Sequence, residues 1–239
     1  MRGNERTFLD GSFPDIADEK VIGVDNRIQV PANQLNLDPF TAILELEIDF
    51  PTGQEYGTAW LISPTVAVTA GHCLINDQGQ NATKITLHQA GSGMEVGGKS
   101  FFVSDAFRSG NRDNNDFGVI ELKQPFSDAA NIGYSAYTDS QLAQETFNIA
   151  GYPVDKPRHT IWFHSGKLSS IGPIKVRYQM DTVGGQSGSP VIDVVRVNGT
   201  QKFVSAAIHQ GFDGSLNLAT RITSSVFHKI EEWRSKIQS

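Results

Sequence analysis

The alternation of apolar and polar residues along most of the chain predicts β-strands. Between residues 44 and 50, Leu, Ile and Phe at every second position alternate with Glu and Asp, as in a strand with one buried face. Further β-prone segments are separated at short intervals by Gly, Asn, Asp and Pro. These predicted strands cover 59–62, 66–69, 84–88, 101–104, 117–122, 146–150, 160–163, 175–180, 191–195, 203–208 and 218–222. Many short strands at this spacing are typical of an antiparallel barrel or sandwich.

Only the C-terminal end of the sequence has the spacing of a helix. Apolar residues recur there at helical intervals from Val226 to Ile237, and Ser224 or Ser225 can act as the N-cap. The polar stretch 124–144 is the best candidate for a connection between two halves of the chain. No run of about 18 apolar residues occurs, so the sequence predicts no membrane-spanning helix and no membrane partner.

Composition then narrows the class of protein. Of 239 residues, 19% are charged and 38% are hydrophobic, and the formal net charge is −6. This apolar content is too high for a disordered chain, and an acidic chain offers no broad basic face, so we expect no nucleic-acid partner. A single cysteine cannot close an internal disulfide. No phosphate loop or metal-ligand spacing occurs, so we expect neither a cofactor nor a metal. We also expect the protein to be a monomer.

The letters G-G-Q-S-G-S-P at 184–190 are the strongest chemical signal in the sequence. A serine hydroxyl is a weak nucleophile, which needs a base to take its proton and donors to stabilise the oxyanion. The glycines beside Ser187 allow a turn in which the N–H groups of Gly185 and Ser187 point to one place. The plain alternative is a loop of glycine and serine without chemistry. No alternation of strands and helices surrounds the segment, so it is not the nucleophile turn of an α/β-hydrolase.

Six histidines could act as the base for this serine. His72 follows a predicted strand that ends in small residues, which leaves room around its imidazole. A neutral imidazole can take and return a proton near neutral pH, but it needs a third group to fix its tautomer. Asp116 opens an apolar strand, so we expect it to be partly buried and to orient His72, whereas Asp113 lies in a polar loop. The other histidines are interpreted as surface or structural residues unless a further motif assigns them: His88, His159, His164, His209 and His228.

At these segments the sequence resembles the chymotrypsin-like serine peptidases. The letters T-A-G-H-C at 69–73, N-D-F-G-V-I at 115–120 and G-G-Q-S-G-S-P at 184–190 match that family's three active-site motifs in order. Each motif is moderately specific alone, and the three together are very specific.

The resemblance implies an all-β fold of two antiparallel six-stranded barrels, at 21–125 and 126–239, with a C-terminal helix. The active site would lie in the cleft between them. It further implies that His72, Asp116 and Ser187 hydrolyse peptide bonds of protein or peptide substrates through an acyl-enzyme. The rival from another class is a binding protein that kept the fold and lost catalysis, although the presence of all three residues counts against it.

A narrower resemblance is to the bacterial glutamyl endopeptidases. It rests on V-I-G-V-D-N-R at 21–27, G-Y-P-V-D-K-P at 151–157, the pair Ile208–His209, and Thr182. The resemblance implies that His209 and Thr182 bind a glutamate side chain before the cleaved bond, with aspartate left open. A carboxylate that enters a pocket loses hydration, and imidazole and hydroxyl donors compensate for that loss.

Two alternatives to this glutamate specificity stay open. Without the neighbouring motifs, His209 would be interpreted as a core histidine on a strand. The chain could also be a chymotrypsin-like peptidase of non-acidic specificity, although no Asp stands where the base of a trypsin-like pocket would have one.

The sequence departs from the family's pattern at two positions. In many members the cysteine after the active histidine is bridged to one sixteen residues earlier, and here that position is Gly57. We therefore expect Cys73 to be a free, buried thiol. In animal members an aspartate precedes the nucleophile and pairs with a freed N-terminus, and here that residue is Gln186.

Residues 1–20 are interpreted as a pro-segment, with a disordered extension as the alternative. They lack the apolar centre of a signal peptide. In the glutamyl endopeptidases, removal of such a segment frees an α-amino group that helps to bind the substrate carboxylate. Cleavage after Lys20 would free the amine of Val21, with a pKa near 7.7–8.0. The prediction is a secreted zymogen, and a cytoplasmic protein is the alternative.

Overall fold

The computed structural model describes residues 24–112, 114–126 and 128–238. The strands in these ranges are β1 (Ile28–Gln29), β2 (Ile43–Phe50), β3 (Gly53–Ser63), β4 (Val66–Thr69), β5 (Lys84–Gln89), β6 (Glu95–Val103), β7 (Gly118–Leu122), β8 (Gly133–Tyr134), β9 (Phe147–Gly151), β10 (Trp162–Gly166), β11 (Leu168–Ile171), β12 (Lys175–Tyr178), β13 (Pro190–Val197), β14 (Thr200–Phe212) and β15 (Asn217–Arg221). The helices are α1 (Asp105–Arg108), α2 (Asp139–Gln144) and α3 (Ser224–Gln238), and 3-10 turns cover Ala32–Gln34, Phe40–Ala42 and Gly71–Cys73.

Six antiparallel strands close into a barrel in the order β2-β3-β4-β7-β6-β5. The alternation that predicts β2 is visible in its packing, because the apolar side chains at 44, 46, 48 and 50 are all buried. Glu45 is buried too, although the alternation predicts that it faces solvent. The second half of the chain covers it, and Arg158 Nε lies 2.6 Å from Glu45 Oε1.

The second half of the chain is organised around a nine-stranded sheet. Its order is β1-β10-β9-β13-β14-β15-β12-β11, and β8 pairs in parallel with β14. The predicted two-unit, all-β architecture is confirmed, but this second unit has more strands than the expected six. The additional strands include β1, in which Ile28 pairs with Phe163 of β10. The predicted division assigned this segment to the first barrel, whereas its backbone pairing joins it to the second sheet.

The C-terminal helix α3 forms as predicted and packs back on the first barrel. Its Trp233 ring lies 5.5 Å from the ring of Phe117. The helix begins at Ser224, and Thr223 Oγ1 accepts the N–H of Val226 at 3.3 Å. The N-cap is therefore Thr223, one residue before Ser224 and two before Ser225, the two predicted positions.

Buried side chains form two hydrophobic clusters. The larger one contains residues from both halves of the chain, among them Trp60, Phe163 and Trp233. The smaller one, with Phe147 and Tyr178, lies within the second sheet. The shared cluster holds the two halves together around the cleft. In the ranges that the structure describes, no helix is long and apolar enough to cross a membrane.

Candidate active site

His72 and Asp116 are brought together by the pairing of two strands in the first barrel. β4 runs antiparallel to β7, with Thr69 opposite Gly118. His72 lies in the turn just after β4 and Asp116 just before β7, so their side chains meet. His72 Nδ1 is 2.8 Å from Asp116 Oδ2, and the His72 backbone N–H donates to Asp116 Oδ1 at 2.8 Å.

The Asp116 carboxylate controls the charge and tautomer of His72. Burial of the imidazole disfavours its charged form, but the Asp116 carboxylate, with a further contribution from Cys73, outweighs this effect and holds the pKa of His72 well above its ordinary value. In the neutral ring, the bond to Asp116 keeps the proton on Nδ1 and leaves Nε2 free to accept another. The His72 side chain is 31% exposed and Asp116 only 4%. The ring is therefore accessible while its orienting partner is shielded.

Ser187 lies in the loop before β13, packed against the turn that carries His72. Its carbonyl accepts the N–H of Thr58 at 2.8 Å, and the thiol of Cys73 lies 3.7 Å from the same oxygen. The Ser187 hydroxyl donates to the carbonyl of Gln210 at 3.5 Å. Among the described contacts it forms no hydrogen bond to His72. The structure thus gathers the three predicted catalytic residues, with the serine hydroxyl turned toward β14.

The backbone N–H of Gly185 is oriented by a hydrogen bond to the carbonyl of the same peptide group. The carbonyl of Gly184 accepts the N–H of Val154 at 2.8 Å. In a trans peptide the C=O and the following N–H point in opposite directions, so the Gly185 N–H faces away from Val154. Gly185 has φ +92°, and a Cβ there would lie 2.4 Å from the carbonyl oxygen of Tyr152. Only glycine fits this conformation.

The N–H of Ser187 is oriented in the same way. The carbonyl of Gln186 accepts the N–H of Ser189 at 2.9 Å, which turns the Ser187 N–H to the opposite side. Within the described residues, neither this N–H nor that of Gly185 has a hydrogen-bond partner. Two adjacent, unpaired backbone donors are what an oxyanion requires.

His209 is buried in β14 and is bonded to a tyrosine. It is 2% exposed, and its Nδ1 lies 2.7 Å from Tyr178 Oη. Burial, assisted by the charge of His72, lowers the pKa of His209 to about 3. Burial also raises the pKa of Tyr178 well above its ordinary value. Both groups are therefore neutral at physiological pH.

Thr182 lines a cavity of about 210 Å³ beside the nucleophile loop. The cavity contacts the N-terminal segment as well, and its lining residues are Val24, Asp25, Arg27, Asp181, Thr182 and Val183. His209 is not one of them. Of the two residues predicted to share a pocket, only Thr182 lines the cavity, whereas His209 is buried in β14.

Cys73 is a free, buried cysteine, as predicted. A Cβ placed on Gly57 would lie 2.9 Å from its Sγ, so position 57 is next to the thiol in space as well as in the family's disulfide pattern. Two other predicted positions, Val21 and Asp113, lie outside the described residues, as does the segment 1–20.

Comparison with known proteins agrees with this geometry. A family model of the trypsin-like peptidase domain matches residues 57–196, more than half of the chain. A glutamyl endopeptidase of Bacillus licheniformis is 36% identical over 232 residues, which cover 92% of this chain and 71% of that protein. The chain belongs to the trypsin-like serine peptidases. The predicted serine endopeptidase class is confirmed.

Two further matches extend the comparison. A solved structure of a Glu endopeptidase in complex with MPD covers 90% of this peptidase and 100% of its own chain, with a TM-score of 0.76 and 24% identity; this likeness supports the fold. A Bacillus subtilis protein named extracellular metalloprotease is 29% identical over 239 residues, 97% of this peptidase and 75% of that protein. That name implies a metal. In the described part of the peptidase, no three His, Cys, Asp or Glu side chains form a group that could hold one, so we derive no step through a metal.

Sequence reasoning missed the side chains that support the site. Tyr178 was assigned only to a strand, and its alternation gives no hint of a histidine partner. In the sequence, Arg27 and Asp155 stand only as letters of the family motifs, yet they form an ion pair at 2.6 Å in which the Arg27 side chain is buried and the Asp155 side chain is 40% exposed. They are separated by 128 residues, so only the fold brings them together.

Proposed function

We propose that this serine endopeptidase uses Ser187 as nucleophile, His72 as general base and Asp116 as the group that orients His72. The 2.8 Å bond between His72 Nδ1 and Asp116 Oδ2 beside the Ser187 loop carries the proposal. To react, Ser187 rotates its hydroxyl from Gln210 toward His72 Nε2, a bond that tightens when substrate is in place.

The reaction then follows from the positions of the donors. Ser187 Oγ attacks the peptide carbonyl while His72 takes its proton, and the imidazolium is stabilised by Asp116. The N–H groups of Gly185 and Ser187 bind the resulting oxyanion. His72 returns its proton to the leaving amine, and water then hydrolyses the acyl-enzyme by the same steps in reverse order.

We propose a preference for glutamate before the cleaved bond, with aspartate as the weaker acidic substrate. The relative from Bacillus licheniformis is named a glutamyl endopeptidase. The neutral pair of Tyr178 and His209 supports the same preference. If Tyr178 O–H donates to Nδ1, the proton of His209 is on Nε2, where it can donate to a substrate carboxylate. Thr182 would supply a second donor.

We further propose that removal of residues 1–20 frees the amine of Val21 for the same pocket. Val24 and Thr182 line one cavity. Three residues span about 10 Å when extended, so a freed Val21 amine can reach Thr182.

A zymogen processed outside the cell fits this arrangement, and the Bacillus subtilis relative is named extracellular. We propose that the peptidase is secreted and acts as a monomer.

The test compares peptides that differ only in the residue before the cleaved bond: Glu, Asp, Arg and Phe. Ser187→Ala should abolish hydrolysis of all of them, whereas Ser170→Ala, on an exposed position of β11, should leave the rates unchanged. The glutamyl peptide should be cleaved fastest. Faster cleavage of the arginyl or phenylalanyl peptide would overturn the specificity, and full activity of Ser187→Ala would overturn the catalytic assignment.

N-terminal sequencing of the active protein tests whether Val21 is its first residue. Full activity on the glutamyl peptide with residues 1–20 intact would refute the proposed role of the Val21 amine.

A further inference from the structure

Arg27 is a buried cation that contacts three acceptors around the nucleophile loop. Its side chain is 3% exposed. Nη1 and Nη2 donate to the two oxygens of Asp155 at 3.0 and 2.6 Å, and Nε and Nη2 donate to the oxygens of Asp25 at 2.8 and 3.0 Å. Nη1 also reaches Gln186 Oε1 at 3.4 Å. A planar guanidinium can satisfy several acceptors in fixed directions at once.

The first branch of this network leads to the N–H of Gly185. Asp155 is held by two bonds from Arg27, and the residue before it, Val154, donates its N–H to the carbonyl of Gly184. That bond fixes the plane of the peptide group whose other end is the Gly185 N–H. A displaced Asp155 would carry Val154 with it and remove the constraint on this donor.

The second branch leads to the N–H of Ser187. Gln186 is fully buried, and its Oε1 accepts the Val183 N–H at 3.0 Å in addition to the bond from Arg27. Its Nε2 is buried with no hydrogen-bond partner among the described residues. The side chain is therefore anchored through Oε1 alone, and its backbone carries the carbonyl that orients the Ser187 N–H.

We propose that Arg27 is a positioning residue of the oxyanion hole, holding the backbone on both sides of Gly185 so that both donors face the same point. The proposal rests on the proposed role of the Gly185 and Ser187 N–H groups. Gly185 has φ +92°, and a glycine can leave such a conformation at little cost. External anchors are therefore needed to keep its peptide groups in one orientation.

The experiment measures kcat and KM of Arg27→Gln and Arg27→Lys on the peptide that the wild-type enzyme cleaves fastest. Loss of one oxyanion donor lowers kcat by about 10²–10³-fold. Displaced donors should lower it by about 10- to 100-fold, with KM changed by less than about threefold. A lysine ammonium is a compact point charge that lacks the planar fork by which Arg27 reaches Asp25, Asp155 and Gln186 at once. Arg27→Lys should therefore also lose at least about tenfold in kcat.

A transition-state analogue separates positioning from general damage. A peptide boronic acid, which forms a tetrahedral adduct on the nucleophilic serine, should lose affinity by the same factor as kcat. The affinity of a product peptide should stay within about threefold, since oxyanion donors act on the transition state rather than on the bound ground state.

Arg158→Gln is the matched control. Arg158 lies in the same loop as Asp155, between β9 and β10, and pairs with the buried Glu45 at 2.6 Å, but none of its described contacts reaches the nucleophile loop. This variant should lose thermal stability and keep kcat within about twofold. If it loses kcat as much as Arg27→Gln does, the role of Arg27 is structural and the proposal is wrong.

Asp155→Asn covers the case in which Arg27→Gln does not fold. It keeps the shape of the side chain and weakens only the first branch, so kcat should fall about 3- to 10-fold. Unchanged kcat in folded Arg27→Gln, or in both Arg27→Lys and Asp155→Asn, would overturn the proposal. If Ser187→Ala were active, the proposed function itself would fail instead. If the Arg27 variants keep the kcat of the wild-type enzyme while Ser187→Ala is inactive, only the positioning role is refuted.

Discussion

The hydroxyl of Tyr178 offers a direct test of the proposal that His209 recognises an acidic side chain. The two buried groups are 2.7 Å apart. The pKa of Tyr178 is raised by burial, so its hydroxyl stays protonated, and the pKa of His209 is lowered to about 3, so its ring stays neutral. In the proposed tautomer, with the His209 proton on Nε2, the Tyr178 O–H donates to Nδ1. Tyr178→Phe removes that donor and no other polar group.

The size of the effect follows from the hydrogen bonds that are lost. A buried acceptor left without a donor costs about 1–3 kcal/mol of unfolding free energy. A hydrogen bond to a charged group contributes about 1.5–3 kcal/mol. If the ring no longer keeps its proton on Nε2, the bond from His209 to a substrate carboxylate is weakened. The ratio of kcat/KM for glutamyl over phenylalanyl peptides should then fall by about tenfold, and by about 150-fold at most.

The assay is kcat/KM on two peptides that differ only in Glu or Phe before the cleaved bond. Tyr137→Phe is the control, because its hydroxyl donates to the buried Asp193 at 3.0 Å, away from the pocket residues. It should reduce stability without changing the ratio. An unchanged ratio in Tyr178→Phe, with the protein folded, would refute the assignment of Tyr178 and His209 to specificity.

Two further changes test the first barrel. Because His72 must be neutral to act as a base and its pKa lies well above the ordinary value, kcat/KM should fall as the pH is lowered through a midpoint above about 6.5. Asp116→Asn should lower kcat by about 10⁴-fold and move this midpoint to lower pH; a midpoint that does not move would contradict the role of Asp116. Gly57→Cys should form a disulfide with Cys73, because its Cβ would lie 2.9 Å from Sγ. Closing a loop of this length should stabilise the fold by about 3 kcal/mol, so an unchanged melting temperature in the oxidised variant would contradict this geometry.

The sequence predicted those parts of the fold whose signals are local. The alternation over β2 and the helical spacing in α3 each extend over several residues, so burial on one face leaves a readable period. The strands β1 and β8 have two residues each, too few to show any period. The helix α2 was missed because its face is mostly polar, although Thr138 and Gln141 form a capping box at its start. This capping box is the sequence signal that could have predicted α2.

The residues of the candidate site also fall into two groups, those with a local sequence signal and those without one. The residues proposed for chemistry lie in short motifs, since glycine, serine and histidine must be adjacent for a backbone turn to form around them. The groups that support them come from distant parts of the chain. Arg27 and Gln186 are 159 residues apart, and Tyr178 and His209 are 31 apart. No periodicity or spacing rule connects such pairs, because their distance is fixed by the packing of the whole second sheet.

The charges around the cavity support the proposed role of the Val21 amine in an acid-selecting pocket. Asp25, Asp155 and Asp181 carry three negative charges there, and Arg27 and Lys156 carry two positive ones. His209 is neutral and so adds no charge. A bound glutamate would therefore meet a net charge of about −1, in a protein whose overall charge is −6, and hydrogen-bond donors alone do not remove that repulsion. One ammonium group from a freed Val21 would bring the region to neutrality before the substrate binds. Removal of residues 1–20 should thus favour glutamyl over phenylalanyl peptides, and this gain should shrink as salt screens the exposed charges.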